Sequence, residues 1–207
     1  PISCDAWDDD YNLVLSGSAG TGKTFMGMYL ALEHVLDPDT SADKLIVIRS
    51  MVPTREMGFL PGDKETKEQA FIKPYKNIAC ELFGDVNSWG KAVTAKKIEF
   101  ESTSFIRGLT LDNCVILVDE MQNCNFHELD SVITRVGRNS RIIFCGDYHQ
   151  SDFTDFKQRD EKDGIMKFLT IVEHLKNFTM VNFGWSDIVR SDFVRDYIMT
   201  KEMLGIE

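Results

Sequence analysis

The chain has 207 residues, 23 basic against 33 acidic side chains, a formal charge of −10 and 43% hydrophobic residues. These figures predict one folded domain over 1–207 and exclude wholesale disorder, a collagen-like repeat and a disulfide scaffold. No apolar run reaches the roughly 18–20 residues that span a bilayer, and the acidic balance opposes a surface that grips nucleic acid by bulk electrostatics.

The opening PISCDAWDDDY has neither the basic nor the apolar region of a secretory signal. A strand predicted over residues 11–16 (YNLVLS) runs into Gly17-Ser18-Ala19-Gly20-Thr21-Gly22-Lys23-Thr24, which satisfies G-x-x-x-x-G-K-[ST] in full. A helical pattern follows over 23–36 and is stopped by Asp37-Pro38-Asp39. Strand, turn and helix are the context this motif needs. Glycines let backbone N–H groups close on phosphate oxygens, and the helix N-terminus adds partial positive charge. Lys23 then reaches the β- and γ-phosphates and the Thr24 hydroxyl is available to Mg²⁺.

A second strand is predicted over 44–49 (KLIVIR), then a loop over 50–63 rich in proline and glycine, and a helix over 65–83. Between residues 64 and 97 stand seven lysines (64, 67, 73, 76, 91, 96, 97) against Glu65, Glu68, Glu81 and Asp85, with Phe71, Tyr75, Phe83 and Trp89 interleaved. Two readings stay open. The rings stack single-stranded bases beside the lysines, or they are the core side of an amphipathic helix whose lysines are solvated. Residues 97–102 (KIEFES) alternate as a half-buried strand does.

The runs 114–119 (CVILVD) and 141–146 (RIIFCG) are continuously apolar, as in parallel strands covered on both faces. The first delivers Asp119 and Glu120 to the C-terminal sheet edge, where ligands bind in open α/β folds. Asp119 is the candidate Mg²⁺ ligand, through water, and Glu120 the candidate general base. A helix is predicted over 126–136 between them. After the second run comes CGDYHQSD at 145–152, where Gln150 is placed to orient water or sense a γ-phosphate. A helix over 164–174, a strand over 178–183 and a closing helix over 187–204 complete the pattern. Near the start of that last helix, Arg190 and Arg195 are the candidates for a cation on the transferred phosphoryl group.

Strands and helices in alternation predict right-handed βαβ units and a doubly wound, mostly parallel α/β sheet with helices on both faces. Cys4, Cys80, Cys114, Cys124 and Cys145 are odd in number and form no C-x-x-C, so they read as reduced core residues. The four histidines show no zinc-ligand spacing.

These motifs in this order resemble the PhoH-like (phosphate-starvation-inducible) family of P-loop ATPases, related to superfamily 1 helicases. The resemblance rests less on the phosphate loop than on RSMVPTREMGFLPGD at 49–63. Arg107-Gly108-Leu109-Thr110, VDEMQN at 118–123, GDYHQSD at 146–152 and IVRS at 188–191 add to it. It runs from Asp5 onward and looks like the short single-domain forms carried by bacteriophages. It implies a cytoplasmic, RecA-like core that binds ATP over Gly17 to Thr24 and hydrolyses it with Mg²⁺, held by Thr24 and Asp119. It further implies a single-stranded nucleic-acid partner, RNA ahead of DNA, and no membrane association. Lys23, Glu120, Gln150 and Arg190 are the implied catalytic residues, with Arg190 as a finger supplied across a subunit boundary in a homo-oligomeric ring. Arg49, Arg55 and GFLPGD are implied to contact substrate or neighbouring subunits. The chain departs from the family in having Ser50 where proline is usual and Ser191 where histidine is usual, and residues 1–10 contain no adenine-reading glutamine. Two other readings of the phosphate loop remain: a small-molecule kinase, and a nucleotide-gated module acting through a protein partner.

Overall fold

Runs of Val, Ile and Leu make strands here because a pleated strand covered on both faces packs branched side chains well. The computed structural model describes residues 2–50, 64–106, 108–147 and 156–205, excepting the side chains of 64–68 and 156–163. In chain order the strands are β1 (Asn12–Gly17), β2 (Lys44–Arg49), β3 (Ile98–Ser102), β4 (Cys114–Asp119), β5 (Arg141–Gly146) and β6 (Phe178–Phe183). They form one sheet in the order β3-β2-β4-β5-β1-β6, with all neighbours parallel. This is the expected doubly wound α/β architecture. The strand order reverses between β1 and β4, so their C-terminal ends flank the crevice where such folds take ligands.

The helices are α1 (Ile2–Asp8), α2 (Lys23–Leu36), α3 (Lys64–Phe83), α4 (Ser88–Thr94), α5 (Phe126–Ile133), α6 (Phe156–Glu173) and α7 (Asp192–Met203). Period-two alternation along β4 divides the core. Val115 and Leu117 join Trp7, Leu30, Tyr75 and Trp89 beneath α1 to α4, while Ile116 and Val118 join Leu129, Val132, Phe168 and Val172 beneath α5 and α6. Each fully buried side chain of this size contributes about 1.5–3 kcal/mol. Cys114, Cys124 and Cys145 are among the buried residues, and all five thiols are free.

Several boundaries differ from the sequence expectation, each for a local reason. Helix α1 and helix α4 are extra elements, each seven residues long and too short to show a period. Helix α5 starts as expected, on a capping box between Asn125 and Glu128, but ends at Ile133. Val136 instead forms a bridge with Leu111. Helix α6 starts at Phe156 rather than 164. Gly164 is not its beginning but its contact with α5, since a Cβ there would lie 3.1 Å from the Phe126 Cβ. The closing helix starts at Asp192, after a 3-10 turn at Trp185–Asp187 and a stretch that crosses the phosphate loop, where Val189 N–H donates to the Gly20 carbonyl at 3.0 Å.

Candidate nucleotide site

Strand β1 ends at Gly17 with φ +135°, where a Cβ would stand 2.0 Å from the Phe183 carbonyl oxygen. Gly20 and Gly22 follow at φ +75° and +80°. Glycine alone adopts this sequence of left-handed angles cheaply, so the loop curls its backbone N–H groups inward ahead of α2. Lys23 closes the curl, donating from Nζ to the carbonyls of Gly17 at 2.6 Å and Ser18 at 2.7 Å and to Thr21 Oγ1 at 3.3 Å. Burial pulls the Lys23 pKa below the usual lysine value, against the opposing pull of Asp147, Glu120 and Asp119.

The C-terminal end of β4 meets this loop. Thr24 Oγ1 donates to Asp119 Oδ1 at 2.8 Å, and the Tyr75 hydroxyl of α3 donates to Asp119 Oδ2 at 2.8 Å. Asp119 is 4% exposed. Burial raises its pKa, and the adjacent Glu120 does the same, while Thr24, Tyr75 and Arg49 act to lower it. A hydroxyl and a carboxylate converging beside a phosphate loop are hard oxygen donors of the kind Mg²⁺ takes, so the residues present fit that ion.

Glu120 turns the chain out of β4 in the left-handed conformation, φ 52° and ψ 46°, at the head of a 3-10 turn (Met121–Asn123). Gln122 on that turn is a site residue that the sequence reading quoted without giving it a role. Its Nε2 donates to Glu120 Oε2 at 2.5 Å while its Oε1 accepts from the Asp147 backbone N–H at 3.1 Å. Gly146 makes room for this bridge, since a Cβ there would sit 2.5 Å from Gln122 Oε1. The available signal was position: two residues beyond a strand-end acid, at the mouth of the same crevice.

Arg190 lies over the phosphate loop of its own chain; a Cβ on Gly20 would come within 3.0 Å of the Arg190 Cγ. Arg195 is instead held on α7 by Asp192 at 3.2 Å. Together Lys23, Thr24, Asp119, Glu120, Gln122 and Arg190 line one cleft of about 900 Å³, with Arg49 at its side. The structure thus brings Lys23, Thr24, Asp119, Glu120 and Arg190 to one cleft and leaves Arg195 outside it. Gln150, Arg55, Arg107, His149 and the GFLPGD segment lie outside the described residues.

The base-stacking reading of the aromatic rings is corrected. Tyr75 is fully buried and Trp89 is 7% exposed, the two rings stacked with centroids 6.5 Å apart. Phe71 is half-buried with the Arg49 guanidinium 5.6 Å from its ring centroid. Only Phe83 of the four is exposed. Burial removes Tyr75 and Trp89 as platforms and puts them on the core side of the second reading.

Comparison with known proteins follows the same line. The family described as PhoH-like protein matches residues 5–201. A PhoH-like protein of Synechocystis sp. is 33% identical over 192 residues, covering 90% of this chain and 55% of that protein. Protein PhoH of Escherichia coli is 30% identical over 178 residues, covering 85% of this chain and 49% of that protein. The chain spans about half the length of these curated relatives. Among solved structures, the chain is similar to the Hef helicase domain of Pyrococcus furiosus, with TM-score 0.43 and 13% identity over 87% of this chain and 37% of that one. It is also similar to the large terminase of a thermophilic bacteriophage in complex with ADP, with TM-score 0.47 and 12% identity over 95% of this chain and 45% of that one. No helix among the described residues is long and apolar enough to cross a membrane. With the match extending over nearly all of its residues and the site intact, the chain belongs to the PhoH-like protein family.

Proposed function

We propose that this chain binds ATP with Mg²⁺ and hydrolyses it, and that turnover is coupled to binding or remodelling single-stranded nucleic acid, RNA ahead of DNA. The observation that carries the reading is the pair of contacts at Asp119 and Glu120. One acid is tied to the phosphate-loop Thr24, and the next is presented at the same cleft by Gln122. A phosphate-binding turn alone would need neither.

In this mechanism the backbone N–H groups of 17–24 and the Lys23 ammonium hold the phosphates. Thr24 and Asp119 would hold Mg²⁺, which would neutralise phosphate charge when bound. Glu120, oriented by Gln122, takes the proton of the attacking water. Arg190, on the loop of its own chain, offsets charge developing on the transferred group. The nucleic-acid partner rests on the family resemblance and on exposed lysines of α3, α4 and the segment after α4, namely Lys73, Lys91 and Lys96. A homo-oligomeric ring is the assembly this reading allows, and mass measurement with nucleotide bound tests it.

The deciding assay compares ATP turnover alone and with single-stranded RNA, single-stranded DNA or duplex across salt concentrations. Turnover that rises with single strands and vanishes in Lys23→Ala supports the reading. Wild-type turnover no faster than that of Glu120→Gln would sink hydrolysis and leave a nucleotide-gated binding module.

A further inference from the structure

Asp119 has a second partner that the phosphate-loop chemistry does not require. We propose that Tyr75 is a positioning residue for the metal site, its hydroxyl fixing the Asp119 carboxylate so that the oxygen shared with Thr24 faces the ion. The inference deepens the reading of Asp119 as the Mg²⁺ ligand and rests on it.

Three observations carry it. First, the two carboxylate oxygens are divided between two helices: Oδ1 accepts from Thr24 of α2 and Oδ2 from Tyr75 of α3, each at 2.8 Å. A carboxylate held at both oxygens cannot rotate about its terminal bond without losing a hydrogen bond. Second, the phenol is placed by packing. Its ring stacks on Trp89 and tilts against Phe100 at 5.8 Å, and it has no exposed surface, so water cannot take over the contact. Third, Arg49 pairs in register with Asp119 across β2 and β4, so a cation borders the same cleft. A purely structural tyrosine would be expected to direct its hydroxyl to a backbone carbonyl or to solvent. This one spends it on the acid at the centre of the site.

The sequence reading placed Tyr75 among rings of undecided role, and α3 also lines the cleft with Pro74, Asn77, Ile78 and Glu81. Partners that orient metal ligands in this way typically change metal affinity by about 10–100-fold when removed. Tyr75→Phe keeps the ring and its packing and removes only the donor.

The test titrates Mn²⁺ into nucleotide-saturated protein, followed by electron paramagnetic resonance, and measures affinity for a fluorescent ATP analogue in EDTA. Tyr75→Phe is expected to bind Mn²⁺ about 10–100-fold more weakly, with affinity in EDTA unchanged and a thermal midpoint lowered by the lost buried hydrogen bond. Trp89→Phe, which disturbs the packing but keeps the hydroxyl, is expected to retain wild-type Mn²⁺ affinity. Wild-type Mn²⁺ affinity in Tyr75→Phe overturns the assignment. So does an equal loss in EDTA, or an equal loss in Trp89→Phe, since either would mark a packing role. If the wild-type protein shows no metal-dependent affinity, the metal reading of Asp119 falls and this inference falls with it. If it binds Mn²⁺ but does not turn ATP over, hydrolysis alone fails and Tyr75 is still decided by the Mn²⁺ titration.

Discussion

At the scale of single residues, the site is built so that one side chain serves two elements at once. Gln122 is the clearest case, because its amide links the Glu120 carboxylate at the end of β4 to the Asp147 N–H just past β5. Replacing it by alanine frees Glu120 to rotate and leaves the Asp147 N–H without this acceptor. The nucleotide contacts of Lys23 and the loop remain. Gln122→Ala is therefore expected to lower kcat by about 10–100-fold, the loss typical of a residue that orients a catalytic group, with nucleotide affinity unchanged. Glu120→Gln is expected to lose more, on the order of 10²–10⁴-fold, because proton removal itself is lost. Steady-state turnover beside equilibrium binding checks both. Equal losses in kcat and affinity for Gln122→Ala would show that the amide holds the fold rather than the acid.

Among the secondary-structure elements, helix α1 has the least local reason to exist. Seven residues cannot nucleate a stable helix by themselves. It is held by Arg141, whose guanidinium lies 3.4 Å from the Trp7 ring centroid and donates to the Trp7 and Tyr11 carbonyls at 2.7 and 2.8 Å. Burial lowers that guanidinium's pKa to about 10, so it is still charged near neutrality. The Trp7 ring meets His34 of α2 edge-on at 5.6 Å. Trp7→Ala is expected to cost about 3–5 kcal/mol, the range for emptying a buried tryptophan site. Trp7→Phe should cost less, and chemical denaturation measures both; a cost below about 1 kcal/mol for alanine would mean that α1 is not part of the cooperative core. The same element marks the boundary of what the sequence discloses. Strand runs such as CVILVD and the loop from Gly17 to Thr24 are legible because burial on two faces and phosphate binding each demand a contiguous pattern. Trp7 and Arg141 are 134 residues apart, and their contact leaves no trace in either neighbourhood. Tyr75 was half legible: its i,i+4 spacing with Phe71 gave an inward face but not the acid waiting there. Gly164 was misread because a glycine that opens a helix and a glycine that lets two helices touch look alike in one dimension.

On the scale of the whole molecule, a formal charge of −10 must be reconciled with the proposed nucleic-acid partner. Lys73, Lys91 and Lys96 are exposed on and after α3, whereas Asp8, Asp9 and Asp10 lie exposed near the end of α1. Strand binding through these lysines should be weak and steeply salt-dependent. Each single-strand phosphate contact contributes about −0.7 to the slope of log affinity against log salt, so removing two contacts flattens it by about 1.4. Lys73→Glu with Lys76→Glu is the test. An unchanged slope, read by fluorescence anisotropy on single-stranded RNA, would move the strand to another face.

Arg190 decides how far a single chain is self-sufficient. A finger supplied by a neighbour leaves a subunit's own arginine remote from its own phosphate loop, yet here the Arg190 side chain packs against Gly20 while the adjoining Val189 N–H bonds the Gly20 carbonyl. On that geometry we propose that the arginine serves the loop beneath it. Lys23→Ala and Arg190→Ala should each lose most turnover, Arg190→Ala by about 10²–10³-fold as for one donor of transition-state charge. Mixed at any ratio, the two variants should recover nothing, because each chain lacks a part that only it can supply. In a ring with fingers shared between subunits, mixing would instead create interfaces that pair an intact Lys23 with an intact Arg190. Turnover would then rise to a maximum near equal proportions. A flat line across the mixing series places the finger in the same chain, and a maximum places it across the boundary and makes assembly a condition of catalysis.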